Sequence, residues 1–262
     1  MSEELLLDIK SGIATITINR PAQRNAVTYE MWQHLGAFMA ELGAKPEVRV
    51  VVLRGAGTQA FSAGADIAEF EEQRKNSTLA RKYHAAVEEA LEAIAHLPKP
   101  TIAMVAGFCV GGGLELATAT DLRIAADNSR FGIPTAKLGI VVGYQEMSRL
   151  VRLVGSGRVM DILFTARLVE ADEALRIGLI SRLVPLAEIE QYTNKVAAEI
   201  AGYAPLSHRW HKQMLETVLQ NPGLDRLTPE EAKLTFACFD TEDFQEGRRA
   251  FLEKRKPAFR GR

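Results

Sequence analysis

Residues 48–53 and 101–105 are short, nearly uninterrupted apolar runs rich in β-branched side chains. A strand that is apolar at successive positions must be covered on both faces, as in a parallel sheet flanked by helices. Each run leaves into a glycine-rich segment, and helical periodicity follows, so the fold class is read as α/β. Residues 5–9 and 13–18, separated by Ser11 and Gly12, read as a β-hairpin. Thr28 is placed to cap a helix through Leu42, with Met31, Leu35, Phe38, Met39 and Leu42 at helical spacing. A second helix around 80–95 carries Tyr83, Val87, Leu91 and Ile94 and is stopped by Pro98 and Pro100. A short apolar helix is expected over 114–120, with strands at 122–125, near Phe131 and at 180–184. The pattern turns mainly helical from Val159, and a last helix spans about residues 242–256. What recurs is strand, strand, helix. The division expected is a core over residues 1–200 with a helical extension over 201–262.

A chain of 262 residues is long enough for a large core. Surface scaling predicts about 11,000 Å² exposed, out of about 42,000 Å² for the extended chain. With 32 basic against 33 acidic residues the net charge is −1, which argues against a nucleic-acid partner. Cys109 and Cys238 are isolated, so neither a disulfide framework nor a thiolate metal site is read, and a reducing compartment is expected. The first residues are acidic where a signal peptide is basic. The apolar stretch over 100–114 is too short to span a bilayer. No membrane association and a cytoplasmic location are expected.

Residues 54–60 fit a G-x-G-x-x-A pattern after a strand, which invites a dinucleotide reading. No helix opens on that turn, so the phosphate-binding helix end is missing and a plain glycine-rich loop is preferred. Ser156 lacks the frame of a nucleophile elbow. His34, His84, His96, His208 and His211 fall on helices or helix ends and read as surface or packing residues. His208 and His211 share a face but have no third ligand, so no metal is expected.

Two glycine-rich segments carry more, residues 61–66 (FSAGAD) and 106–117 (AGFCVGGGLELA). Both follow buried strands, and the second opens a helix. Glycine lets backbone approach a ligand closely, and the first amides of a helix lack intrahelical partners. Such N–H groups can stabilise a developing anion; the same glycines can equally serve tight helix–strand packing. Glu115 falls in the first turn of an otherwise apolar helix, where a carboxylate needs a partner or a task. Desolvation raises its pKa and the helix dipole opposes that, so the net direction is open.

With these segments in order, the chain resembles the crotonase superfamily, the enoyl-CoA hydratase/isomerase family. The likeness rests on residues 18–26 (INRPAQRNA), 61–67, 99–103 (KPTIA) and 111–117 followed by Asp121. Residues 131–134 (FGIP), 137–140 (KLGI) and the ending 246–256 add to it. The resemblance implies a spiral of ββα turns with a C-terminal helical trimerisation region, assembled as a homotrimer or a dimer of trimers. It implies a coenzyme A thioester as substrate, with CoA as part of that substrate and no separate cofactor. The thioester oxygen would meet the amides of Ala65 and Gly112, and Glu115 would be the acid/base. Ala63, Asp66, Ile67, Thr135 and Tyr144 are implied around the acyl pocket, Arg24 near the CoA phosphates, and Phe251 and Lys254 toward the adenine end. A lysine common two residues after the aspartate is Ala68 here.

Relatives that hydrate enoyl-CoA use two glutamates, and the second position is Thr135 in this chain. Two carboxylates divide the proton transfers of hydration easily, whereas one must perform both or be helped. A run of small residues common in the family becomes Gly143-Tyr144-Gln145-Glu146, where Tyr144 or Glu146 replaces the lost group or simply fills the pocket; filling is the preferred expectation. Gly143 also disfavours the isomerisation and dehalogenation that use an aspartate there. Hydratase/isomerase chemistry through a thioester enolate is the leading expectation. A malonyl-type acyl-CoA decarboxylase is the alternative, with thioester or C–C hydrolysis behind it and a non-catalytic CoA-thioester binding scaffold as the non-enzymatic reading.

Overall fold

The computed structural model describes residues 3–262, within which the strands form two sheets. β1 (Leu5–Lys10) and β2 (Ile13–Ile18) make the expected hairpin, with Leu5 opposite Ile18 and Lys10 opposite Ile13. Ser11 and Gly12 turn it at φ 51° and 80°, the left-handed pair that a two-residue hairpin requires. α1 (Tyr29–Ala44) starts where the sequence placed it, with Thr28 Oγ1 accepting from the Met31 amide at 3.2 Å.

Three strand pairs follow: β3 (Val50–Gly55) with β4 (Ala60–Ser62), β5 (Thr101–Val105) with β6 (Phe108–Val110), and β7 (Leu122–Ala126) with β8 (Arg130–Gly132). The first strand of each pair joins the larger sheet and the second the smaller. β9 (Val169–Glu170) and β10 (Arg182–Val184) complete the sheets, in the orders β1-β2-β3-β5-β7-β10 and β4-β6-β8-β9. From β2 to β10 the larger sheet is parallel. α2 (Phe70–Gln73) and α3 (Ser77–Ala95) return the first pair to the second. α4 (Gly112–Thr118) returns the second to the third. This is a spiral of ββα turns.

The continuous apolar runs are explained by their two faces. Val51, Leu53, Ala103 and Val105 enter one core with α1 and α3, while Val50, Val52, Ile102 and Met104 enter a second on the opposite face. The three-residue strands β4 and β6 lie in segments read from sequence as glycine-rich loop or turn. The helical part also begins earlier than expected: α5 (Tyr144–Val154) and α6 (Ser156–Thr165) precede α7 (Ala171–Arg176). Gly143 and Gly155 bracket α5 and hide it in the sequence.

α8 (Ile189–Ala201) covers the second core. α9 (Pro205–Gln220) and α10 (Pro229–Ala237) bury no residue fully. α11 (Glu242–Leu252) ends four residues short of the expected Lys256. Among the described residues no helix is long and apolar enough to cross a membrane.

Candidate active site

A cavity of about 670 Å³ opens between the loop after β4, the start of α4, one face of α2 and α3, and the segment from Pro134 to Glu146. Its backbone floor depends on Gly64, which sits at φ 95°. A Cβ there would come within 2.7 Å of the Val110 oxygen and 3.0 Å of the Gly112 nitrogen. Glycine therefore lets two turns of the spiral touch. A Cβ on Gly112 would in turn lie 3.5 Å from the Ala65 nitrogen. Among the described residues, neither the Ala65 nor the Gly112 amide donates to a protein acceptor, and both residues line the cavity.

Glu115, one turn into α4, faces the same space. Burial, and after it the negative charge of Glu146, push its carboxyl up to about 7 against the opposing pull of Arg74 and Arg149. The direction left open by the sequence is thus upward, set by desolvation and a like charge against the two arginines. Trp32 and Tyr83 line the cavity too, the Trp32 Nε1 donating to the Tyr83 hydroxyl at 3.1 Å. The Arg74 guanidinium lies 3.8 Å from the Tyr83 ring centre.

Of the residues expected from sequence, Ala63, Ala65, Ile67, Gly112, Glu115 and Thr135 come together around this cavity. Asp66 does not face it: its carboxylate pairs with Arg20 at 2.8 Å and caps the Ala68 amide at 3.0 Å, holding the loop in shape. Arg24 lies on a separate pocket of about 230 Å³ with Gln59, Gly107, Phe108, Asn128 and Arg130. Its carbonyl accepts from the Ala63 amide at 2.9 Å, so it is tied to the cavity through backbone only. Phe251 is 83% exposed at the end of α11 and Lys254 follows it; neither reaches the cavity within one chain.

Tyr144 corrects the sequence reading. It is 95% exposed and stands outside the cavity lining, whereas Glu146 is 1% exposed and inside it. The reason is helical geometry, since residues two apart stand roughly 200° apart around the axis. Gly143 makes room for Glu146: a Cβ there would run into Glu146 Oε2 and lie 2.7 Å from the His84 ring. His84, read from sequence as surface or packing, lines the cavity as well. His84, Glu88 and Glu146 place one candidate ligand atom each within 4.8 Å of one another. The signal for Glu146 was available, because Leu150 and Val154 follow it at intervals of four and are buried on the same face.

The two-sheet spiral and its carboxyl-lined cavity define an enzyme of the crotonase fold. Residues 8–262 match the enoyl-CoA hydratase/isomerase family. The chain is 38% identical to a short-chain-enoyl-CoA hydratase of Clostridium acetobutylicum, over 96% of this chain and 95% of that one. It is 37% identical to a crotonyl-CoA hydratase of Syntrophomonas wolfei, over 98% of each. A crystal structure of an enoyl-CoA hydratase/carnithine racemase from Magnetospirillum magneticum superposes with a TM-score of 0.96 at 37% identity, covering 100% of this chain and 97% of the other. The chain belongs to the enoyl-CoA hydratase/isomerase family.

Proposed function

We propose that this protein adds water across the α,β double bond of an enoyl-CoA thioester by way of an enolate. The observation that carries the reading is the pair of unpartnered amides, Ala65 and Gly112, beside a carboxyl whose pKa sits near neutrality. As water attacks the β-carbon, electron density moves onto the thioester oxygen. Fixed amides aimed at that oxygen lower the barrier, each worth about 2.7–4 kcal/mol in a comparable acyl-transfer site. Glu115, with its carboxyl at about 7, can hold or release a proton near physiological pH and serves as the acid/base at the α-carbon.

Coenzyme A enters as part of the substrate. Arg24, beside Arg130 on the smaller pocket, is assigned to its phosphates, and Phe251 with Lys254 to its adenine end from a neighbouring subunit. A homotrimer or dimer of trimers fits the surface. The isolated chain exposes 14070 Å², against about 11,000 Å² for a compact monomer of this mass. Leu215, Val218, Phe236 and Phe239 contribute to that surface from α9, α10 and the turn after α10.

Purified protein given crotonyl-CoA is expected to consume the enoyl absorbance. Carbon dioxide release from methylmalonyl-CoA without enoyl turnover would replace the hydratase reading by the decarboxylase one. Tight acyl-CoA binding without any reaction would leave a scaffold.

A further inference from the structure

Glu146 is buried at 1% exposure, and among the described residues neither of its carboxylate oxygens has a hydrogen-bond partner. A carboxylate held this way carries a heavy desolvation penalty, and removing it in favour of a neutral group is commonly stabilising. Neither neighbour that could pair with it does so. Arg149, one turn along α5, is paired with Glu92 through Nη2, and its Nη1 is buried without a partner and makes no hydrogen bond to Glu146. His84 faces Glu88 at 3.3 Å. What Glu146 does face is the cavity it shares with Glu115, Thr135 and the Ala65 and Gly112 amides. Orphaned polar atoms lining a cavity are the ones left for substrate or water.

We infer that Glu146 is the second proton-handling group of the hydration proposed above, supplying from α5 the carboxylate that hydrating relatives carry at the position of Thr135. The inference rests on that hydratase reading. The attacking water is held between Glu146 and Glu115. Its oxygen bonds to the β-carbon while one of its protons passes to the Glu146 carboxylate, and the π pair moves onto the thioester as an enolate. Protonated Glu115 then gives its proton to the α-carbon and the enolate collapses to the thioester. The sum is H and OH added across the double bond. The proton on Glu146 returns to Glu115 through water and resets the pair.

The charged and titratable groups around this pair are Arg74 beyond α2, Arg81, Tyr83, His84 and Glu88 on α3, and Arg149 on α5. The charge of Glu146 raises Glu115, so neutralising it must lower the pH at which Glu115 loses its proton.

The test is Glu146→Gln, which keeps the shape and removes the charge. Crotonyl-CoA hydration should drop about 10²–10⁴-fold in kcat while acyl-CoA affinity stays within a few-fold. The falling limb of the pH–rate profile should move to lower pH, and the melting temperature should hold or rise. Glu146→Asp, which keeps the carboxylate, should retain an intermediate rate, and adding Thr135→Glu to Glu146→Gln should restore part of the activity. A Glu146→Gln enzyme with the wild-type rate and an unmoved pH profile overturns the inference while leaving the hydratase reading intact. Activity abolished by a chelator and restored by a divalent cation also overturns it, assigning Glu146 with His84 and Glu88 to a metal. Wild-type protein inert toward every enoyl-CoA removes the hydratase reading, and this inference with it.

Discussion

Glu115 carries the sharpest residue-scale expectation. Glu115→Gln should lower crotonyl-CoA hydration by about 10²–10⁴-fold in kcat, read by loss of enoyl absorbance. The same carboxyl links stability to pH. Its pKa is about 7 in the folded protein and 4.5 ordinarily, so between those values the native state binds the extra proton. Its contribution to stability is full below about 4.5 and disappears as pH rises through about 7. Glu115→Gln should therefore be more stable than wild type at pH 8, by about 1–3 kcal/mol in denaturant titration, and show no such gain near pH 4. A wild-type protein whose stability rises between pH 5 and 8 relative to the variant would contradict the assignment.

At the scale of elements, the N-terminus of α5 is the part most open to a targeted change. Gly143→Ala places a methyl against the far ends of Glu146 and His84 and touches no backbone within 3 Å among its nearest contacts. The fold should survive with a melting temperature within a few degrees, while kcat falls more than KM changes because a carboxylate is displaced. Thr28→Ala removes the cap of α1 and should cost about 1 kcal/mol, seen as a lower denaturant midpoint with activity per folded molecule unchanged. These two elements also mark what sequence can reveal. α1 was readable because a cap residue, a full apolar stripe and sixteen residues of helix agree. β4 and β6 were not, since three residues give no periodicity and their pairing is set by neighbours far along the chain. Glu115 and the two glycine-rich segments stood out through local chemistry. Glu146 was named beside Tyr144 without being separated from it, and His84 was read as surface or packing, because the place of both depends on α3 and α5 closing on one cavity, a tertiary fact. Tyr144 was misplaced for want of the phase of α5.

At the scale of the whole molecule, α9 and α10 bury no residue fully within one chain. Mass measurement in solution should find three or six copies. Phe236→Asp on α10, where Phe236 is 67% exposed, should shift that mass toward the monomer without unfolding the spiral. A monodisperse wild-type monomer would refute the assembly.

The contact of the loop after β4 with the start of α4, held open by Gly64, has a consequence for how such a molecule can change. The proposed anion-holding half of the catalytic apparatus is made of peptide bonds, and a point mutation to any residue but proline alters a side chain and leaves the N–H in place. The proposed acidic half rests on side chains, Glu115 and, on the separate helix α5, Glu146, and a single substitution can remove or add a carboxylate there. Novelty in such a protein can accumulate on one wall while the opposite wall keeps its shape.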